Sequence, residues 1–182
     1  MKLTIDRSDL LRALSHVQSV VERRNTIPIL SNVLLSASSG SLQLTATDLD
    51  IEAVDAADAQ VDQEGGLTAP AQTLFDVVRK LPETAEVQLE FLPDNQRLSI
   101  QAGRSRFALP TLPAADFQTM NKDEGTVSFS IDVADLKRLI DKTRFAISTE
   151  ETRYYLNGVY LHVAEGEDGA KLRAVATDGH RL

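Results

Sequence analysis

An α+β fold, in tandem domains of antiparallel sheets with two helices on one side, is what this 182-residue sequence predicts. Three observations carry it. The first is a long internal repeat. Lys2-Leu-Thr-Ile-Asp6-Arg-Ser-Asp9-Leu10-Leu-Arg12 returns as Ser128-Phe-Ser-Ile-Asp132-Val-Ala-Asp135-Leu136-Lys-Arg138, so that Ile5 recurs as Ile131, a shift of 126 positions. Leu30, Val33 and Leu35 recur at the same spacing as Leu156, Val159 and Leu161. Ala46-Thr47-Asp48 recurs as Ala176-Thr177-Asp178 at a shift of 130, which places four extra residues most simply in the Glu165–Lys171 turn. Such a period exceeds solenoid repeats and suits a whole domain. The second observation is a finer cycle inside the first copy: strand, helix, then about three strands, twice. The third is the turn clusters between alternating runs, which mark hairpins and hence antiparallel pairing.

Each element follows in order. Lys2–Ile5 alternates as a short strand. Asp6 is expected to cap a helix with its carboxylate, with Asp9 favouring the helix dipole, and Asp132 and Asp135 repeat the arrangement. Leu10, Leu11, Leu14, Val17 and Val21 make one apolar stripe, leaving Arg12 and His16 to face solvent or a ligand. This helix is expected to end near Glu22-Arg23-Arg24-Asn25, because Pro28 disfavours helix before it. Strands follow at about Leu30–Ala37 and Leu42–Thr47, joined by Ser38-Ser39-Gly40, then one alternating strand over Ile51–Val61, broken at Gly65-Gly66. The second half runs through a strand at Leu67–Ala69, a helix after Pro70 carrying Leu74, Val77, Val78 and Leu81, and a hairpin of Val87–Leu92 and Leu98–Ala102 around Pro93-Asp94-Asn95. Gly103 then turns into Ser105–Leu109. Pro110–Glu124 lacks periodicity and reads as a linker, giving a first domain with linker over 1–124 and the opening part of a second over 125–182. The second copy stops a third of the way through, so the chain reads as truncated.

The net charge of −8 by itself argues against nucleic acid. Its distribution argues the other way. The expected helices with their flanks, 7–24, 71–80 and 134–144, hold ten basic and five acidic residues, while the rest holds nine and twenty-two. Two helices on one side of a domain would merge their basic residues into one surface; the alternative is a solvated helix face. With no cysteine there is no disulfide framework or thiolate metal site, and no apolar run or leader pattern suggests a membrane span or a signal peptide. A cytoplasmic protein is the expectation.

Catalytic motifs are missing: no phosphate-binding glycine loop, nucleophile elbow or metalloprotease helix occurs. His16, His162 and His180 lie far apart. One dense cluster, Thr177-Asp178-Gly179-His180-Arg181-Leu182, has two readings. Asp178 and His180 are either an acid/base pair, as in a small hydrolase, or part of a tight turn in which Gly179 takes positive φ and Asp178 bonds its own backbone. Arg153-Tyr154-Tyr155-Leu156-Asn157-Gly158 suits either base stacking and phosphate contact or packing at a strand start. Gly103-Arg104-Ser105-Arg106-Phe107 reads either as an edge ready to pair with another chain or as an edge guarded by charge.

At these residues the sequence resembles the bacterial DNA polymerase III beta subunit, the sliding clamp family. The resemblance rests on Thr26-Ile-Pro-Ile-Leu30, Gly103-Arg-Ser-Arg-Phe107, Leu112-Pro-Ala-Ala-Asp-Phe117, Arg153-Tyr-Tyr-Leu-Asn-Gly158 and Ala176-Thr-Asp-Gly-His-Arg-Leu182, and runs collinearly through the chain. It implies the DNA-clamp fold, three domains per complete subunit, and a head-to-tail homodimeric ring around duplex DNA. It implies a non-catalytic processivity factor with no cofactor and no metal. Arg24, Arg79, Tyr154 and Tyr155 would face DNA. Leu156, Thr177, Gly179, His180, Arg181 and Leu182 would line a pocket for short linear motifs of the replicative polymerase and the clamp loader. Arg104, Arg106 and Phe107 would form the dimer edge. The sequence departs from the family at Gln72 and Thr73, where basic residues are common, and at the acidic Glu150 and Glu151. A generic tandem-domain interaction scaffold is the remaining alternative.

Overall fold

The computed structural model describes residues 1–21, 27–119, 129–165 and 169–182, the side chain of Glu151 excepted. It divides into two compact units, Met1–Lys122 and Asp123–Leu182.

The first unit is α+β. It runs β1 (Lys2–Asp6), α1 (Arg7–Val17), β2 (Asn32–Ser38), β3 (Ser41–Thr47), β4 (Glu52–Asp58), β5 (Gln60–Gln63), β6 (Gly65–Pro70), α2 (Ala71–Lys80), β7 (Glu86–Leu92), β8 (Arg97–Ala102), β9 (Ser105–Pro110) and β10 (Leu112–Pro113). Two five-stranded sheets form, in orders β5-β1-β7-β8-β9 and β10-β6-β2-β3-β4, with every pairing antiparallel. The halves exchange their first strands. β1 precedes α1 but lies beside β7, while β6 precedes α2 but lies beside β2.

The core follows from periodicity. α1 buries Leu10, Ala13, Leu14 and Val17, α2 buries Ala71, Leu74 and Val78, and the helices pack on each other. Strand positions two apart complete it: Leu3 and Ile5, Val33 and Leu35, Leu42 and Leu44, Leu98 and Ile100 are all buried. Each such side chain contributes roughly 1.5–3 kcal/mol when fully removed from water.

Four expectations are corrected. The first helix is shorter than its apolar stripe, since α ends at Val17 and one 3-10 turn over Gln18–Val20 follows; the expected end at Glu22–Asn25 lies outside the described residues. Asp6 stands at the N-cap without a side-chain bond, whereas Asp132 accepts from the Ala134 N–H at 2.8 Å. The run 51–61 is two strands, because the chain leaves one sheet at Ala59, whose N–H turns to Gly40 O at 2.9 Å, and joins the other as β5. The stretch read as linker begins inside the domain. Leu112 and Pro113 pair with Thr68 and Leu67, the Thr111 hydroxyl donates to Gln96 O at 2.8 Å, and Phe117 is buried.

The second unit holds α3 (Val133–Thr143), a 3-10 turn at Arg144–Ala146, another over Glu151–Leu156, and the hairpin β11 (Tyr160–Ala164) and β12 (Lys171–Val175). α3 has the bounds of α1 shifted by 126 positions. The hairpins locate the four-residue difference. Ser38 pairs with Ser41 across Ser39 and Gly40, both at positive φ, while Ala164 pairs with Lys171 across 165–170. Burial differs between the copies: Leu35 is 0% exposed and Leu161 46%. β2 has β3 and β6 beside it, but β11 pairs only with β12 among the described residues.

Candidate functional site

Three groups of residues stand out, each positioned by a different element. On the helix face, Arg79 in the last turn of α2 pairs with Asp76 at 3.0 Å and lies 5.7 Å from the Phe75 ring centre. Gln72, one turn earlier, donates to the other oxygen of Asp76 at 3.2 Å. Arg12 and His16 are exposed, off the buried stripe, and each has a carboxylate partner. Both turn to Asp55 on β4, with His16 Nδ1 at 2.6 Å and Arg12 at 3.7 Å. Partial desolvation pushes the Asp55 carboxyl up, but the His16 hydrogen bond, the Ala56 N–H and Arg12 outweigh it and hold it below the usual range. Arg24 lies outside the described residues. In α3, Arg138 pairs with Asp135 at 3.1 Å, and Lys137 and Arg144 share Asp141. Pairs this exposed are weak, so a phosphate oxygen competes with the carboxylates for the basic groups.

The second group is the turn at Thr177–Arg181. The Asp178 carboxylate accepts from the N–H of His180 at 2.9 Å, from the N–H of Arg181 at 3.1 Å and from Arg181 Nε at 2.8 Å. The His180 N–H bond chiefly holds its carboxyl below the usual range. Thr177 Oγ1 donates to Arg181 O at 2.7 Å and accepts from the Gly179 N–H at 3.0 Å. The first unit builds the same turn: Thr47 Oγ1 donates to Ile51 O at 2.8 Å, and Asp48 accepts from the N–H groups of Asp50 and Ile51 at 2.9 and 2.7 Å. Gly179 at φ +88 replaces Leu49 at φ +80. Asp178 is therefore committed to its turn, and the hydrolase reading is left without its carboxylate–imidazole pair. Among the described residues no cluster of His, Asp or Glu is suited to hold a metal ion.

Beside this turn lie Tyr154 and Tyr155, 79% and 71% exposed, their rings edge-to-face with centres 5.8 Å apart. Ser148 N–H to Leu156 O at 3.0 Å closes the segment that carries them, and Arg153 is held by Glu150 at 3.2 Å. The structure also brings in two residues that the sequence reading did not assign here. The Arg153 guanidinium covers Gly179, where an added Cβ would stand 3.2 Å from Nη1. Phe145 stacks under Arg181, 5.7 Å from guanidinium carbon to ring centre. Leu156 is half-buried, while His180, Arg181 and Leu182 are exposed.

The third group is on β9, an edge strand that pairs only with β8 among the described residues. Gly103 at φ +55 makes the turn, Arg104 follows it, Arg106 donates to Gln101 Oε1 at 2.9 Å, and Phe107 is 39% exposed.

Two families match along the chain: the DNA polymerase III beta subunit N-terminal domain over residues 1–121, and the central domain of that subunit over 130–182. The chain belongs to the DNA polymerase III beta subunit family. The beta sliding clamp of Caulobacter vibrioides NA1000 is 63% identical over 182 residues, all of this chain and 49% of the relative. The clamp of Pseudomonas aeruginosa is 47% identical over 183 residues, again all of this chain and 48% of the relative. Among solved structures, the Caulobacter crescentus polymerase III beta superposes with a TM-score of 0.94 at 63% identity, covering 99% of this chain and 49% of that one. A Bartonella birtlesii clamp bound to griselimycin gives 0.92 at 48% identity, covering 99% and 48%. The chain spans about half the length of the curated relatives it matches. The α+β architecture agrees with that family, and the two units fall on its two successive domains.

Proposed function

We propose that this chain supplies the first domain and part of the second of a sliding clamp, a ring that encircles duplex DNA and tethers the replicative polymerase. The observation that carries this is the tandem match to two successive beta-subunit domains, collinear with the internal repeat. The clamp is not an enzyme. It acts by topology, and its contacts to phosphate are independent of sequence and compatible with sliding.

In this reading Arg79, Tyr154 and Tyr155 face DNA, with Arg24 joining them. Arginine meets phosphate through charge-assisted, forked N–H groups, and the tyrosines offer hydroxyls and flat faces. Leu156, Thr177, Gly179, His180, Arg181 and Leu182 form part of a pocket for short linear motifs of the polymerase and the clamp loader. Its turn is closed by its own hydrogen bonds, an arrangement that would lower the ordering cost of binding. Arg104, Arg106 and Phe107 form the edge through which the homodimer closes by strand addition. The clamp works in the cytoplasm, on the nucleoid.

The test loads the full-length gene product on nicked circular DNA with its loader, linearises half, and follows retention in high salt. Retention on circles with loss from linear ends is expected. Equal loss from both means ordinary electrostatic binding and ends the ring reading.

A further inference from the structure

Arg7 opens α1, yet its side chain reaches the far end of α2. Nε donates to Val78 O at 3.2 Å and Nη2 to Arg79 O at 2.7 Å. The Arg7 backbone N–H donates to Ala85 O at 3.0 Å, just beyond the exit of α2. Val78 O also accepts the Leu81 N–H at 3.2 Å, so the guanidinium is a second donor there, at the carbonyl end of the helix that carries the negative end of its dipole. A guanidinium suits the two carbonyls because its forked N–H groups bridge two acceptors at fixed geometry, which an ammonium does not do.

This device is not required to start the helix in which Arg7 sits. The repeat counterpart of Arg7 is Val133, and α3 begins there with the same bounds relative to the repeat. The guanidinium therefore serves α2. The residue whose carbonyl it holds most closely is Arg79, whose side chain stands on the exposed face.

We infer that Arg7 is a positioning residue for the DNA contact: it fixes the last turn of α2 and so sets where Arg79 meets phosphate. This rests on the reading that the helix face meets DNA. It predicts a defect that depends on Arg79 and that charge alone does not repair.

The test uses the full-length gene product carrying Arg7→Lys, Arg7→Met, Arg79→Ala, or Arg7→Lys with Arg79→Ala. Binding to a primed duplex is followed by fluorescence anisotropy across a salt series, with far-UV circular dichroism checking that each variant is folded. Arg79→Ala is expected to reduce the slope of log K against log salt by about 0.9, one phosphate contact. Arg7→Lys, which keeps the charge, is expected to weaken binding about as much as Arg79→Ala and to add nothing in its background. Arg7→Lys binding like the wild type while Arg7→Met binds weakly would make Arg7 a phosphate contact in its own right and overturn the inference. So would a lowered melting temperature with unchanged binding, or additive losses in the double variant. An unchanged slope in Arg79→Ala would instead overturn the assignment of Arg79 to the DNA-facing surface, and the inference with it.

Discussion

Leu35 and Leu161 occupy the same repeat position and differ in burial, so truncating each to alanine measures what the surroundings add. Leu35 is 0% exposed, with Leu44 across one strand boundary and Leu67 across the other. Removing its side chain forfeits the transfer free energy and leaves a cavity between packed strands, about 3 kcal/mol together. Leu161 is 46% exposed and has Ala174 as its cross-strand neighbour. Its truncation opens no enclosed cavity and forfeits about 1 kcal/mol of burial. The chain reports on its units separately. Its three tyrosines, Tyr154, Tyr155 and Tyr160, all lie in the second unit and it has no tryptophan, so tyrosine emission follows that unit. Far-UV circular dichroism carries both units, the larger share from the first, which among the described residues holds α1, α2 and ten strands against α3 and one hairpin in the second. In urea, Leu35→Ala should lower the circular dichroism midpoint by about 2 M at a slope of roughly 1.5 kcal/mol per molar. The tyrosine transition should stay in place. Leu161→Ala should move the tyrosine transition, by less than half as much, and leave the larger, first-unit share of the circular dichroism transition in place. Equal shifts for the two variants would refute the assignment of different packing to the two copies.

Asp132→Ala removes the carboxylate that accepts from the Ala134 N–H and should cost the second unit about 1 kcal/mol; Asp6→Ala, with no such bond, should cost less. Tyrosine emission and circular dichroism against urea check the pair. Gly179→Ala puts a Cβ at φ +88 and 3.2 Å from the Arg153 guanidinium. The turn itself tolerates a side chain there, as Leu49 at φ +80 shows, but the added strain and the displaced Arg153 should destabilise the unit by about 1 kcal/mol and weaken capture of a polymerase-derived peptide in the full-length protein, read by isothermal titration calorimetry. The Asp55 carboxyl is held low in the folded state despite its partial desolvation, so its stabilising share is present above the unfolded carboxylate value and fades as pH falls through the folded one. Asp55→Asn should therefore lower the melting temperature at neutral pH, and the difference from wild type should close in acid; a constant gap would mean that the ion pairs contribute nothing.

Much of this architecture is written locally. The stripe through Leu10, Leu14 and Val17 and the turn residues Ser39 and Gly40 act within a few positions, so their elements are legible one at a time. The repeat was legible because the copies keep their spacing until the two-residue connection Ser39-Gly40 is replaced by the six residues 165–170. Partner choice was not. Nothing in Lys2–Asp6 states that β7 lies beside it rather than β2. The alternation through Ala59 continues while the chain changes sheets, so periodicity misses the break. Leu112–Pro113 is too short to show a period at all. At the candidate site, Asp178 and Gly179 announced their turn by residue type. Arg153 over Gly179, Phe145 under Arg181 and Arg7 on α2 depend on long side chains reaching across tertiary distances, which no spacing rule encodes.

The exchange of first strands also orders events on the ribosome. Leu3 lies between Val61 and Leu89, so β1 can meet β5 first but lacks its β7 neighbour until residues 86 positions downstream have been made and released from the exit tunnel. At about 5–20 residues per second that is a wait of roughly 4–17 s. Through it, β1 has one open edge, and Leu3 and Ile5 lack the cover that β7 gives them in the finished sheet.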